Sequence, residues 1–167
     1  MPVMVKKAVL WRKEIDNRPG MLANTLEPLS EAGADLQVVM GYRYPGGKDT
    51  ATIELHPVSG RKSTAAAKTA GLAPSPISAL LVQRDNRQGL GHALAKAIGD
   101  AGINLSFVMA QVVGRRYSAM FGFENEADAA RAAALIKKAA APVRKEVVPT
   151  LEVFAYKVNQ PGSEKPL

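Results

Sequence analysis

The chain switches between strand and helix periodicity twice. "VKKAVLWRKEI" (5–15) has the β-rich composition of a strand, and Leu22, Leu26 and Leu29 then recur at helical spacing until Ala32-Gly33 ends the run. Pro28 lies inside this predicted helix, where it removes a backbone donor and costs about 3 kcal/mol or a kink, so a bent helix is expected. "DLQVVMGYRY" returns as a β-rich run, "PGGKD" is turn chemistry, and "TATIEL" alternates as a partner strand. Residues 60–70, "GRKSTAAAKTA", predict a weak Ala-rich helix.

The second half repeats the order. "ISALLVQR" predicts a strand, and Leu90, Leu94, Ile98 and Ala101 predict a helix. "INLSFVMAQVV" and "RYSAMFGF" flank a tight Gly114-Arg115 turn, "EADAARAAALIKKA" predicts a helix, and "LEVFAYKV" predicts a closing strand. The final "NQPGSEKPL" is too polar and too rich in Pro and Gly to pack, so a flexible tail is expected.

Shifting the chain against itself by 69 positions lays Asp16, Asn17, Arg18 and Gly20 on Asp85, Asn86, Arg87 and Gly89. The register holds without a gap through Gly33/Gly102, Leu36/Leu105 and Met40/Met109, which marks an internal duplication. The expected organisation is α+β, with a first repeat over 1–72, a Pro-containing linker over 73–76, a second repeat over 77–158 and a tail over 159–167. Two complete βαββαβ units would need two strands between the Ala-rich helix and Asp85. "GLAPSPISALLVQR" has room for one good strand, because Pro74 and Pro76 exclude anything earlier from a central ladder. One repeat is therefore expected to lack its fourth strand.

Composition narrows the chemistry. An apolar share of 47% beside 22% charged residues is that of a globular protein, and aromatics at 5% imply small cores. With no Cys, disulfides and thiolate metal sites are excluded, and His56 and His92 alone cannot build a metal centre. No catalytic set, cofactor site or metal site emerges. The opening residues lack the apolar run of a signal peptide or membrane span, which makes a soluble cytoplasmic protein the expectation. The formal charge of +7 is scattered in pairs such as Lys6-Lys7 and Arg115-Arg116 and extends into no long basic tract. It speaks to solubility before nucleic acid.

The duplicated Asp-Asn-Arg-x-Gly remains. A helix beginning just after this loop presents unpartnered backbone N–H groups and the positive end of its dipole, which favour a carboxylate. Gly20 or Gly89 would admit a ligand close to the backbone. Asn17 or Asn86 can donate and accept, whereas ionised Asp16 or Asp85 only accepts. Such a set suits a free amino acid. Capping and turn formation explain the same residues equally simply. Pro19 suits the first helical position, which would make Arg18 the cap and leave Asp16 and Asn17 outside it.

"DNRPGML" with "AGADL", and "DNRQGLG" with "AGINL", resemble the ACT domain, an amino-acid-sensing module. The first loop particularly resembles that of the regulatory domain of phosphoglycerate dehydrogenase. The resemblance covers residues 3–57 and 77–158. It implies two ferredoxin-like repeats, each an antiparallel sheet with helices on one face. It also implies side-by-side pairing, with a small amino acid bound between the loop before the first helix and the start of a second strand. By position, Asn17 and Asn86 match the ligand-holding Asn, and Gly20 and Gly89 the close-approach glycine. Arg18, Met21, Leu22, Arg87 and Leu90 complete the two surrounds. At the start of the second strand the second repeat has Asn104, where the first has Asp35, which would repel a carboxylate. The "DNRQG" loop with Asn104 is therefore the expected stronger site, although Gln88 replaces Pro there.

The implied function is a non-catalytic amino-acid-binding regulator acting through a protein partner or as a homodimer. Two other readings stay open. One is an interaction subunit that has lost its ligand. The other is a ferredoxin-like nucleic-acid module, which is disfavoured because "TATIEL" displays no aromatic and "RYSAMFGF" lacks the full stacking signature.

Overall fold

The computed structural model describes residues 2–43 and 49–141. The expected closing strand (151–158), the tail (159–167) and most of the "PGGKD" turn lie outside the described residues. In chain order the elements are β1 (Met4–Ala8), β2 (Trp11–Asp16), α1 (Met21–Glu31), β3 (Val38–Tyr42), β4 (Thr50–His56) and α2 (Arg61–Thr69). They continue as β5 (Ala73–Pro74), β6 (Ser78–Asp85), α3 (Leu90–Asp100), β7 (Phe107–Val113), β8 (Arg116–Phe123) and α4 (Glu126–Ala139).

Two antiparallel four-stranded sheets form, in the orders β3-β4-β2-β5 and β1-β6-β8-β7. α1 and α2 close the first core, where Leu29 and Ala67 pack on Trp11, Ile53 and Leu55. In the second core Leu94, Ile98, Ala132 and Ile136 pack on Leu80, Val82, Phe121 and Phe123. This is the α+β, ferredoxin-like doubling that the periodicity and the resemblance implied.

Three local expectations differ from the structure. The strand expected over 5–15 is two strands in two sheets, because β1 pairs with β6 and β2 pairs with β4. The alternation breaks at two consecutive buried residues. Leu10 faces a cluster between the sheets, and Trp11 faces the first core. The second difference is the fourth strand that one repeat was expected to lack: both sheets have four, because the tight space after α2 still holds, beside β6, the two-residue β5, which pairs with β2 at the sheet edge where Pro74 removes no central bond. The fourth place in the second sheet, which no described residue after α4 fills, is taken by β1. Lys6 and Lys7 are exposed on this edge strand and discourage pairing with a further chain.

The third difference concerns α1. It runs through Pro28, but its buried residues are Thr25 and Leu29, while Leu22 is exposed. In α3 the expected stripe of Leu90, Leu94 and Ile98 is buried. α4 starts at Asn125, whose side chain accepts a hydrogen bond from the Asp128 N–H at 2.8 Å. Asn125→Ala is expected to cost about 1 kcal/mol, read as a lower urea midpoint with an unchanged slope.

Away from the helices the two repeats meet. Leu10, Val38 and Met40 of the first pack with Ala79, Leu81, Phe107, Met109 and Met120 of the second, and Ala8 of β1 joins them. The edge strands β3 and β7 thereby face one another across a seam. No described helix is long and apolar enough to cross a membrane.

Candidate functional site at the seam of the repeats

The duplicated motif is built by turn chemistry. In the first copy the Met21 N–H donates to the Arg18 carbonyl at 3.3 Å, with Gly20 at φ 86° and ψ −16°. In the second the Leu90 N–H donates to the Arg87 carbonyl at 3.2 Å, with Gly89 at φ 75° and ψ 3°. A four-residue turn with a positive φ at its third position is type II, which favours Pro at the second position and Gly at the third. Pro19 therefore sits in the turn and not at the first helical position, and Gly20, not Arg18, precedes the helix. No side chain caps α1 or α3, so the capping reading falls. A Cβ on Gly20 or Gly89 would have nothing within 4 Å among the described residues, which leave the approach to both turns open.

Each loop is also tied to the hairpin of its own repeat. The Asn17 N–H donates to the Asp49 carbonyl at 2.7 Å, and the Asn86 N–H donates to the Arg115 carbonyl at 2.8 Å. The backbone equivalence ends there, because the side chains diverge. Arg18 ion-pairs with Asp16 at 2.8 Å in the open. Arg87 instead donates from Nη2 to the Ala139 carbonyl at 3.0 Å, and its Nε is buried with no partner among the described residues, so Nη2 fastens the second loop to the end of α4. Leu90 is a core residue, whereas its counterpart Met21 is half-buried at a cavity wall.

That cavity, of about 330 Å³, is lined by Asn17 and Arg18 of the first loop, Met21 and Leu22 at the start of α1, Gly41, Tyr42 and Arg43 at the end of β3, and Ile15, Ala51, Thr52 and Ile53 of β2 and β4. A second cavity, of about 540 Å³, lies at the seam. Val39 and Met40 of β3, Ile77 of the connector, and Phe107, Val108 and Met109 of β7 form its apolar walls. Tyr42 and Ser106 are its polar side chains. Gly41 and Tyr42 line both cavities, so the first loop and the start of β7 are brought to opposite sides of one short piece of β3.

The remaining candidate residues are placed elsewhere. Asp35 is exposed beside a separate cavity lined by Gly33, Gln37, Pro57 and Ser63. Asp85 ends β6. Asn104 is exposed, two positions before Ser106. Asn86, held to Arg115, stands beside the far end of seven-residue β7, while Asn104 precedes its near end. At about 3.4 Å per residue they are more than 20 Å apart. Asn86 and Asn104 thus share no site within their own repeat, and Asn104 lies on the seam side.

Sequence reasoning missed Tyr42, Arg43 and Glu54. Glu54 is fully buried on the face of the first sheet away from the helices. The Tyr42 hydroxyl donates to it at 3.3 Å and the Ser75 hydroxyl at 3.5 Å. Burial raises its pKa above the ordinary carboxylate value, against the lowering effects of the neighbouring Arg12 and of the Tyr42 and Ser75 hydrogen bonds. The carboxyl thereby holds a tyrosine shared by both cavities and a serine of the connector between the repeats. Its one sequence signal is a Glu at an outward position of an alternating strand.

Solved structures share this fold at low identity. Protein BT0572 from Bacteroides thetaiotaomicron aligns with a TM-score of 0.60 and 15% identity, over 79% of this chain and 88% of its own. The ligand-free regulatory subunit of aspartate kinase from Thermus thermophilus aligns with a TM-score of 0.56 and 15% identity, over 83% of this chain and 97% of its own. Aspartate kinase from Clostridium acetobutylicum gives a TM-score of 0.53 and 14% identity, over 82% of this chain and 34% of that enzyme. No family model and no curated protein matches the sequence. Likeness at these identities establishes a shared fold and assigns no residue a role.

Proposed function

We propose that this is a non-catalytic regulatory protein that binds an amino acid where the first loop meets the second strand of the other repeat. The observation that carries the reading is the pair of cavities that share Gly41 and Tyr42 in their walls. An amino-acid carboxylate would face the uncapped start of α1, with Asn17 and Arg18 beside it. The side chain would enter the seam, with Asn104 near its rim. Resemblance of the first loop to the regulatory domain of phosphoglycerate dehydrogenase supports the same assignment. So does a fold shared with a regulatory subunit of aspartate kinase. A ligand bridging both repeats favours one relative arrangement only by its difference in affinity between arrangements. That arrangement is read by a protein partner or a second copy, in the cytoplasm.

A thermal-shift screen of the full chain against the proteinogenic amino acids tests the reading. A ligand at about 100 times its Kd adds about 2.7 kcal/mol to stability. Asn17→Ala, at an exposed position, is expected to abolish the shift while keeping the unliganded Tm. No shift with any amino acid would favour the interaction-subunit reading, for which the exposed Val112 and Val113 at the end of the open edge strand β7 are the supporting feature.

A further inference from the structure

The seam cavity has a definite chemical character. No charged side chain lines it among the described residues, and seven of its nine lining residues are aliphatic, thioether or aromatic. A charged ligand side chain placed there would be desolvated without a partner. An apolar one would be removed from water against Met40 and Met109, whose unbranched thioethers adapt to irregular shapes. Its volume of about 540 Å³ exceeds what a methyl or hydroxymethyl side chain can fill.

The depth of the cavity depends on one cross-strand pair. Phe107 of β7 stands opposite Gly122 of β8, and a Cβ on Gly122 would overlap the Phe107 ring. Glycine here is a matter of space, since it lets an aromatic ring lie directly on the neighbouring backbone. A larger residue would drive the ring toward the seam.

We propose that the seam selects an amino acid with a large, uncharged, apolar side chain, and that Phe107 seated on Gly122 sets how large. This rests on the amino-acid-binding reading above and adds the ligand class. The seam cavity shares Gly41 and Tyr42 with the loop cavity that would take the α-carboxylate, and of the two, among the described residues, only the loop cavity is lined by charged side chains, Arg18 and Arg43. One end of the site therefore offers guanidinium groups to a carboxylate, and the other offers no charge.

Isothermal titration of the full chain with leucine, methionine and phenylalanine, against alanine, aspartate and lysine, tests this. The first three are expected to bind at least about tenfold more tightly, which corresponds to about 1.4 kcal/mol. Val108→Asp puts a charge in the wall at a residue that is 54% exposed, so the fold tolerates it. It should remove that tenfold preference. Gly122→Ala should shift the preference toward smaller members of the apolar set. Binding of alanine, aspartate or lysine as tight as that of leucine would overturn the inference and leave the amino-acid reading standing. Binding of none of the six would overturn both.

Discussion

Deleting residues 2–8 is expected to unfold the sheet of the second repeat while leaving that of the first intact. These residues precede the first repeat in the chain, yet among the described residues β1 pairs with β6, from Met4 opposite Gln83 to Ala8 opposite Ala79. Val3 and Val5 pack on the second core, and Ala8 on the cluster between the sheets. Loss of this ladder and of three apolar contacts should cost on the order of 3–5 kcal/mol. β6, now an edge with the apolar run Ala79–Val82, becomes a template for association. Hydrogen exchange gives the reading. Amides of β6 should lose protection while those of β2 and β4 keep theirs, and the reverse order would contradict the pairing. The Lys7–Glu126 ion pair, which also joins β1 to α4, is exposed at both ends and contributes little to this loss.

Glu54 carries the second large effect. Glu54→Ala removes the acceptor for the Tyr42 and Ser75 hydroxyls and opens a hole on a covered sheet face, so about 2–4 kcal/mol should be lost. Glu54→Gln should do the opposite at neutral pH. Because burial raises the folded-state pKa above the ordinary 4.5, the unfolded chain gives up this proton first as pH rises. The carboxyl's contribution is fully present below that ordinary value and is lost as pH climbs through the raised one. The charges and dipoles facing it are Arg12 on β2, Tyr42 at the end of β3 and Ser75 in the connector. An uncharged amide keeps an acceptor for the hydroxyls without that loss. Urea midpoints measured across this window should therefore fall for the natural protein and stay level for Glu54→Gln. Parallel curves for the two proteins would show that Glu54 does not carry the pH dependence.

Much of the architecture was written in local patterns. Leu90, Leu94 and Ile98 announced α3 because burial against one sheet imposes the helical repeat directly. Gly20 and Gly89 announced a loop because both turns demand a positive φ. What escaped was set by contacts between distant segments. Nothing local shows that "VKKAVLWRKEI" changes sheets at Leu10, since both halves are good strands. Thr52 and Glu54 read as a solvated polar face, and only the second repeat's sheet, folded against it, makes that face an interior. The two loops looked equivalent in sequence. They differ because Arg87 finds the end of α4 while Arg18 pairs with Asp16. "DNRQG" and Asn104 lie at opposite ends of β7 within their own repeat, a separation set by strand direction that the sequence does not display.

The strand exchange also has a consequence for how the protein is made. β1 leaves the ribosome long before β6, its strand partner among the described residues, so during synthesis it waits without that ladder while the first repeat can complete its own sheet. The second repeat can close only after the chain has come back to its beginning. The two halves, despite their common origin, are then bound to fold in sequence and not side by side, and the long loop this closes makes the last step the slow one.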